Sequence, residues 1–273
     1  MPELPEVETI RRDLLRFLVG RTIVEAEVSA NAPRLIKWPP SSEQFCRELV
    51  GQRITDISRR GKYLAVHLEG GRFWVIHLRM TGALLHRPGG CLAQPFVRAS
   101  FRLDDESWLC FRDMRKFGMM WLVDDFSTVN PDLGPEPLEE GFGLKEFAAT
   151  LKRRSAPIKA VLLDQTVLAG VGNIYADEAL FAAGVRPTRS ASTLTKPAVT
   201  KLHQGVQDVL HAALGDRGSS FSDYVDASGR QGGHQLNVRV FRRTREPCYV
   251  CGTEIRRIKV GGRSTHYCPR CQK

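Results

Sequence analysis

Apolar residues recur at helical spacing near the start of the chain, where Val7, Ile10, Leu14, Phe17 and Leu18 fall on one face. Glu6 and Glu8 lie early in this stretch, and Arg11, Arg12 and Arg16 lie late, a charge order that favours a helix. Gly20 is placed to close it. Over the next hundred residues the period changes to two. Val24, Ala26 and Val28 share a face in RTIVEAEV, and Leu64, Val66 and Leu68 oppose Tyr63 and His67 in GKYLAVHLEG. Alternation continues through RFWVIHL, Val97 to Leu103, WLCF and FGMMWLV, separated by Gly- and Asp-rich turns. So many short strands predict a sandwich or barrel.

From Asp124 to Glu140 the segment DDFSTVNPDLGPEPLEE is rich in acids and holds three prolines, the composition of a linker. The helical period then returns in four stretches. They are marked by Leu144, Phe147 and Leu151; by Ile158, Val161 and Leu162; by Ile174 through Phe181; and by Val199, Leu202, Val206, Val209, Leu210 and Ala213. Thr195 is a suitable cap for the last, with Pro197 in its first turn. Ser219 to Val225 suggests one more short helix, SGRQGGHQ a Gly-rich loop, and LNVRVF a return to strand alternation. The pattern is that of an α+β protein.

Length and composition narrow the class. The chain has 273 residues, 42% apolar and 26% charged, enough for one large or two moderate soluble domains. No apolar run approaches the roughly eighteen residues of a membrane span, so no membrane partner is expected. Three acids among the first eight residues replace the basic leader of a secretory signal, which predicts a cytoplasmic protein. The formal charge is +10. Eleven basic residues and two acids fall between Arg230 and Lys273, leaving the first 229 residues nearly neutral. A concentrated positive segment makes a polyanion the natural partner.

The cysteines form two populations. Cys248 and Cys251 make one CxxC pair, Cys268 and Cys271 a second, with sixteen residues between them, the spacing of a hairpin metal site. Four thiolates select zinc, with iron the alternative. Two disulfides are the competing reading. Cys46, Cys91 and Cys110 are scattered, and taking them as unpaired argues for a reducing compartment and against disulfides. In LLDQTVLAGVGNIYADEALF, Gly170 and Gly172 relieve backbone crowding before a helix that begins near Asn173. Such a turn presents amide N–H groups and the Asn side chain to a phosphate, or is simply a well-capped helix hairpin.

MPELPEVETIRRDL at the start, HLRMTG, DMRKFG, LGPEPL, GVGNIYADEALF and the terminal cysteine pairs, in this order along the whole chain, resemble the bacterial formamidopyrimidine-DNA glycosylase family. The resemblance implies a fold with an N-terminal helix on a β-sandwich, then a helix-two-turn-helix domain with a C-terminal zinc finger. It places a catalytic domain at 1–130, a helical DNA-binding domain at 131–230 and a β-hairpin zinc finger at 231–273. The implied partner is double-stranded DNA containing a damaged base, bound by a monomer in the cytoplasm at the nucleoid. The implied cofactor is one structural zinc on Cys248, Cys251, Cys268 and Cys271, with no organic cofactor.

The resemblance also implies roles for single residues. Removal of Met1 would expose the secondary amine of Pro2, which attacks C1′ of the damaged nucleotide and displaces the base through an iminium. Glu3 would be the general acid/base, Lys62 a phosphate-contacting aid to the catalytic site, and Glu6 a supporting carboxylate. Met80, Arg115 and Phe117 would fill the void left by the extruded nucleotide, with Arg115 serving the orphaned base. His77, Asn173 and Arg263 would hold backbone phosphates. The activity implied is excision of oxidised purines, 8-oxoguanine and formamidopyrimidines, followed by β,δ-elimination.

Two alternatives stay open at this level. Endonuclease VIII uses the same terminal proline for oxidised pyrimidines, but Leu4 in PELPE favours the formamidopyrimidine branch over the PEGPE start of that enzyme. A non-catalytic DNA-structure-binding protein would keep the wedge and finger, yet Pro2, Glu3, Glu6 and Lys62 are all retained. The segment expected to cover the extruded base, GRQGGHQLNVRVFRR, departs from the family. It lacks the aromatic usual after its second glycine and carries Phe241, Arg242 and Arg243 in place of YGR.

Overall fold

The computed structural model describes residues 1–91 and 95–273. Two compact units emerge, one of Met1–Pro131 with Asp216–Gly233, the other of Asp132–Gly215 with His234–Lys273. This differs from the linear three-part division in that residues 216–233 join the first unit and the cysteine hairpin shares a unit with the helices. Among the described residues no helix is long and apolar enough to cross a membrane.

The first unit begins with α1 (Leu4–Leu18), whose Val7, Ile10, Leu14 and Leu18 are fully buried as the periodicity predicts. Gly20, at φ 85°, turns the chain out of the helix in the left-handed region that glycine tolerates. Then follow β1 (Ile23–Val28), β2 (Ile36–Trp38), α2 (Ser42–Leu49), β3 (Ile54–Arg60), β4 (Tyr63–Leu68), β5 (Phe73–His77), β6 (Gly82–Arg87), β7 (Val97–Leu103), β8 (Trp108–Asp113) and β9 (Met119–Val123). They make a four-stranded sheet, β1-β7-β8-β6, and a five-stranded sheet, β2-β9-β5-β4-β3, in which only the β2-β9 pair is parallel. The apolar face of α1 and the inner faces of both sheets share one core around Trp74, Phe101 and Phe111.

Three local expectations change here. A register irregularity between Ile23 and Glu25 puts Ile23 in the core and leaves Val24 exposed, so Val24 does not share a buried face with Ala26 and Val28. Helix α2 interrupts the region read as strands throughout. Its signal was present, since Ser41 accepts a hydrogen bond from Gln44 N at 3.2 Å, and Phe45 and Leu49, one turn apart, are buried. Cys91 and Cys110 are joined in a disulfide, not unpaired. The turn after β6 delivers Cys91 to Cys110 on the adjacent strand β8, inside a small cluster with Ala83 and Leu85. Sequence separation concealed this proximity, and the inference drawn from three unpaired cysteines falls with it.

The second unit holds α3 (Leu144–Lys152), α4 (Ile158–Leu163), α5 (Asn173–Ala182) and α6 (Lys196–Gly215), matching the four predicted stretches. It ends in the hairpin β10 (Arg256–Val260) and β11 (Arg263–Tyr267). At Gly205 of α6 an added Cβ would come within 3.2 Å of Ala179 O, so glycine permits the close approach of α5. A fully buried ion pair, Lys159 Nζ to Asp177 Oδ1 at 2.7 Å, joins α4 to α5. Asp177 Oδ2 accepts His266 N at 2.9 Å and Lys159 Nζ donates to Ser264 O at 2.7 Å, which fixes β11 to both helices.

Two predicted elements do not form. LNVRVF is not a strand, because the N–H groups of Arg239, Val240 and Phe241 go to the buried Glu178 carboxylate at 2.7, 3.0 and 2.8 Å. Burial pushes that carboxyl above its ordinary value even against these three bonds. Ser219 to Val225 is not a helix, because side chains take its backbone groups: Ser219 N donates to Glu6 Oε1 and Tyr224 O accepts from Ser220 Oγ.

Candidate functional site

The first unit gathers most of the predicted residues at the ends of its elements. Pro2 is buried immediately before α1, and Met1 is exposed. Glu3 caps the helix, and its N–H donates to Glu6 Oε2 at 2.8 Å. Glu6 Oε1 receives Ser219 N at 2.7 Å, so both Glu6 oxygens hold backbone. That makes Glu6 a clamp, whereas the Glu3 carboxyl belongs to the residue adjoining Pro2. Glu8, one turn into the helix, binds Arg11 at 2.8 Å, Arg12 at 2.8 Å and Arg59 of β3 at 3.1 Å. Burial would raise its carboxyl, but these arginines outweigh it and hold the group at about 2. The helix that begins at the proline is thus anchored to the sheet by charge as well as by its apolar face.

Lys62 follows Gly61 in the two-residue turn between β3 and β4, where Arg60 pairs with Tyr63. Gly61 has φ 57°, a value that the first position of a type II′ hairpin turn requires. Lys62 is buried rather than a solvated turn residue. His77 ends β5 opposite Tyr63, whose ring meets it edge-on at 4.5 Å. Arg79 N donates to His77 Nδ1 at 3.0 Å, so the ring accepts at Nδ1 and keeps its proton at Nε2. Burial, then the charges of Arg79 and Lys62, push His77 down to about 3. A neutral imidazole with an Nε2–H donor is suited to a phosphate oxygen.

This shift has a consequence for stability. Between pH 3 and 6.5 the folded protein holds His77 neutral while the unfolded chain protonates it, so its stabilisation is complete above about pH 6.5 and is lost as pH falls. From pH 6.5 to 5, a window in which Glu8 is ionised in both states, denaturant midpoints should fall for the wild type. His77→Gln should flatten that fall by about 2 kcal/mol at most. Parallel pH profiles for the two proteins would contradict the assignment.

Met80, Arg115 and Phe117 come together although 35 residues separate the first two. Arg115 Nη1 lies 3.2 Å from Met80 Sδ, and its guanidinium carbon stands 4.8 Å from the Phe117 ring centroid. All three are exposed, Met80 by 39% and Phe117 by 46%. Large apolar side chains held out of the core against a cation form a ready wedge. The residue that aligns them was missed in the sequence. Asp113, fully buried at the end of β8, accepts Thr81 Oγ1 and Arg115 N through Oδ1, and Gly118 N through Oδ2 at 2.7 Å. It ties the Met80 turn to the Arg115–Phe117 turn. A side chain at Gly118 would collide with Phe111, so glycine is required beside it. The signal was Asp113 itself, the first letter of DMRKFG.

The second unit carries Asn173, Arg263 and the cysteines. Asn173 is the first residue of α5, after Gly172, and its Oδ1 is buried with no hydrogen-bond partner among the described residues. Arg263 is exposed where the chain enters β11 from the Gly261-Gly262 turn. The Sγ atoms of Cys248, Cys251, Cys268 and Cys271 all lie within 4.8 Å of one another. Cys248 and Cys271 are 3.9 Å apart, Cys251 and Cys268 3.5 Å. Tetrahedral zinc with bonds of about 2.3 Å separates its sulfurs by about 3.8 Å, so the four thiols fit that ion. Arg242, at the departure from YGR, has φ 60° where glycine would be unstrained. Arg243 Nε binds Glu246 at 2.8 Å, and its guanidinium carbon lies 3.4 Å from the Tyr249 ring centroid.

Comparison with known proteins covers the same regions. Residues 1–120 match the formamidopyrimidine-DNA glycosylase N-terminal domain, 133–224 the formamidopyrimidine-DNA glycosylase H2TH domain, and 245–273 the zinc finger found in FPG and IleRS. A formamidopyrimidine-DNA glycosylase of Pelotomaculum thermopropionicum is 43% identical over 278 residues, covering 100% of this chain and 99% of the relative. One of Carboxydothermus hydrogenoformans is 44% identical, covering 100% of both. Among solved structures, the MutM (FPG) protein of Thermus thermophilus is 40% identical with a TM-score of 0.88, covering 99% of this chain and 98% of that one. Lactococcus lactis FPG in complex with a Fapy-dG containing DNA is 36% identical with a TM-score of 0.91, covering 99% and 100%.

Proposed function

The chain belongs to the formamidopyrimidine-DNA glycosylase family, and from that premise we propose how its residues divide the work of excising oxidised purines from duplex DNA. The protein is a DNA glycosylase of this family, with the AP lyase activity typical of it. Its zinc finger holds one structural zinc ion on the four cysteines. Because such a thiolate shell is filled, the ion supplies folding energy and leaves the sugar chemistry to side chains.

In this reading Met1 is removed and the Pro2 nitrogen attacks C1′, expelling the base with its bonding electrons while Glu3 manages protons at the sugar or leaving group. The adduct sheds its N–H proton, and cleavage of the C1′–O4′ bond with a proton delivered to O4′ opens it to an iminium. A secondary amine has no N–H left to lose at that stage, so the cation persists and acidifies C2′. Loss of a C2′ proton expels the 3′ phosphate, and a second elimination expels the 5′ phosphate. Lys62 and neutral His77 bind phosphates near the damaged nucleotide, Asn173 and Arg263 phosphates elsewhere on the duplex. Met80 and Phe117 keep the stack closed and Arg115 serves the orphaned base. We place the enzyme in the cytoplasm, as a monomer at the nucleoid, where its substrate is.

The observation that carries the reading is the exposed cluster of Met80, Arg115 and Phe117, which has both the apolar bulk and the base-edge donor that an emptied stack needs. Base-edge contacts specify and phosphate contacts position. Arg115→Ala should therefore weaken discrimination among the four opposing bases by roughly 1–3 kcal/mol in single-turnover release. Arg263→Ala should weaken damaged and undamaged DNA alike and reduce the salt slope of binding by about 0.9. Unchanged base preference in the first, with an unchanged slope in the second, would remove the division of labour. Faster release from DNA carrying an oxidised pyrimidine than from DNA carrying 8-oxoguanine would move the enzyme to the endonuclease VIII branch.

A further inference from the structure

Residues 216–233 form a loop whose ends meet, since Gly233 N donates to Asp216 O at 2.8 Å and Gly232 N to Ser220 Oγ at 2.9 Å. Inside it Tyr224 is buried and donates from its hydroxyl to Arg217 O at 3.0 Å. The loop is hydrogen-bonded to α1 at Glu6 and again at Asp13. Ser219 N meets Glu6, the same carboxylate that holds Glu3 N. Two turns further along the helix, Asp13 Oδ2 accepts Arg217 Nη2 at 2.6 Å, and that nitrogen also lies 2.6 Å from Asp226 Oδ2.

Asp13 and Asp226 are both buried, and a single guanidinium stands between them. Hydrogen bonding to the carboxylate of Asp13, and secondarily to that of Asp226, pushes that guanidinium well above its ordinary range despite partial burial. Asp226 spends its other oxygen on Ser228 N at 3.0 Å and Arg230 N at 2.9 Å, which orders the turn leading to Gly232. Arg217 makes this bridge from φ 60°, in the left-handed region where a side chain is strained. Such a conformation persists where the surroundings over-determine it, and it marks positions that organise a site.

We propose that Arg217 is a positioning residue: through Asp13 and Asp226 it latches the 216–233 loop to the helix that carries Pro2 and Glu3. The proposal rests on the functional reading above together with the expectation from the sequence that residues 229–243 cover the extruded base, of which 229–233 belong to this loop. The latch then governs how a damaged base is held during its release. It has no part in processing a sugar that has already lost its base, because that step needs the helix and the phosphates alone.

The test uses the full-length zinc-loaded protein with Met1 removed. Single-turnover 8-oxoguanine release, and borohydride trapping on 8-oxoguanine DNA and on abasic-site DNA, are measured for the wild type, Arg217→Gly, Asp226→Asn, Asp13→Asn and the Arg217→Gly/Asp13→Asn pair. Glycine adopts the local backbone freely, so this substitution removes the bridge without adding strain; thermal unfolding verifies the fold. Base release at saturating DNA should fall about tenfold in Arg217→Gly, as for a misplaced site, with abasic trapping within about twofold of wild type. Asp226→Asn should show the same selective loss. Asp13→Asn should cost no more than about twofold in the Arg217→Gly background, since both act through one bridge. Unchanged base release in Arg217→Gly, or equal losses on the two DNAs, overturns the latch alone. Absence of trapping by the wild type on both DNAs overturns the glycosylase reading and the latch with it.

Discussion

Protein that retains Met1 should form no borohydride-trapped complex with DNA containing 8-oxoguanine opposite cytosine, while the processed protein forms one readily. The difference is all or none in chemical terms. With Met1 attached, the Pro2 nitrogen is an amide whose lone pair is delocalised, and no iminium can form for borohydride to reduce. The surroundings of Pro2 support the same expectation. It is buried directly before a helix that the Glu8–Arg59 ion pair and the Arg11–Ile57 hydrogen bond fasten to β3, and the adjoining Glu3 is fixed through Glu6. The nucleophile we propose, held this way, is poised by the fold rather than by a flexible terminus. Glu3→Gln, in correctly processed protein, should slow base release on the order of 10²–10⁴-fold, the usual contribution of a positioned acid or base. Pro2→Gly is the weaker test, because its primary amine can still attack. Trapping by protein shown by mass spectrometry to retain Met1 would end the proline mechanism.

The second large effect follows from the zinc. Replacing Cys248 and Cys251 by Ser should remove the metal and, with it, most DNA affinity. Structural zinc contributes on the order of 10 kcal/mol to small finger folds, far more than the short β10-β11 hairpin gains from its own pairing. Without the ion, Arg263 loses the turn that projects it. The helices should survive, because the Lys159-Asp177 ion pair and the Glu178 clamp add anchorage that does not depend on the metal. Metal analysis should give about one zinc per chain in the wild type and none in the variant. Far-UV circular dichroism should change little, while DNA binding fails at moderate salt. Zinc retained at full stoichiometry after all four thiols are removed would contradict the assignment.

Much of this protein was legible in its sequence because the determining signals are local. The α1 stripe, the period-two strands and the helices from Leu144 to Gly215 each follow from side-chain periodicity within one element. The cysteine pairs followed from spacing, since two CxxC turns and a hairpin suffice to bring four thiols together. The family was legible from the order of short motifs, from PELPE to the final cysteine pair.

Only the tertiary structure decided what depended on partners distant in the chain. Cys91 and Cys110 looked unrelated until β6 and β8 became neighbours. The strand expected at LNVRVF and the helix expected after Ser219 are individually reasonable patterns. Buried carboxylates from remote helices, Glu178 and Glu6, claimed their N–H groups instead. A buried charge must be satisfied by whatever donors the fold brings to it, and that demand outweighs the weak local preference of a few residues. The same holds for Asp113 behind the wedge and for Arg217 between two aspartates. Their residue types are printed in the sequence, but their roles depend on partners up to 204 positions away, which only the folded chain brings within hydrogen-bonding reach.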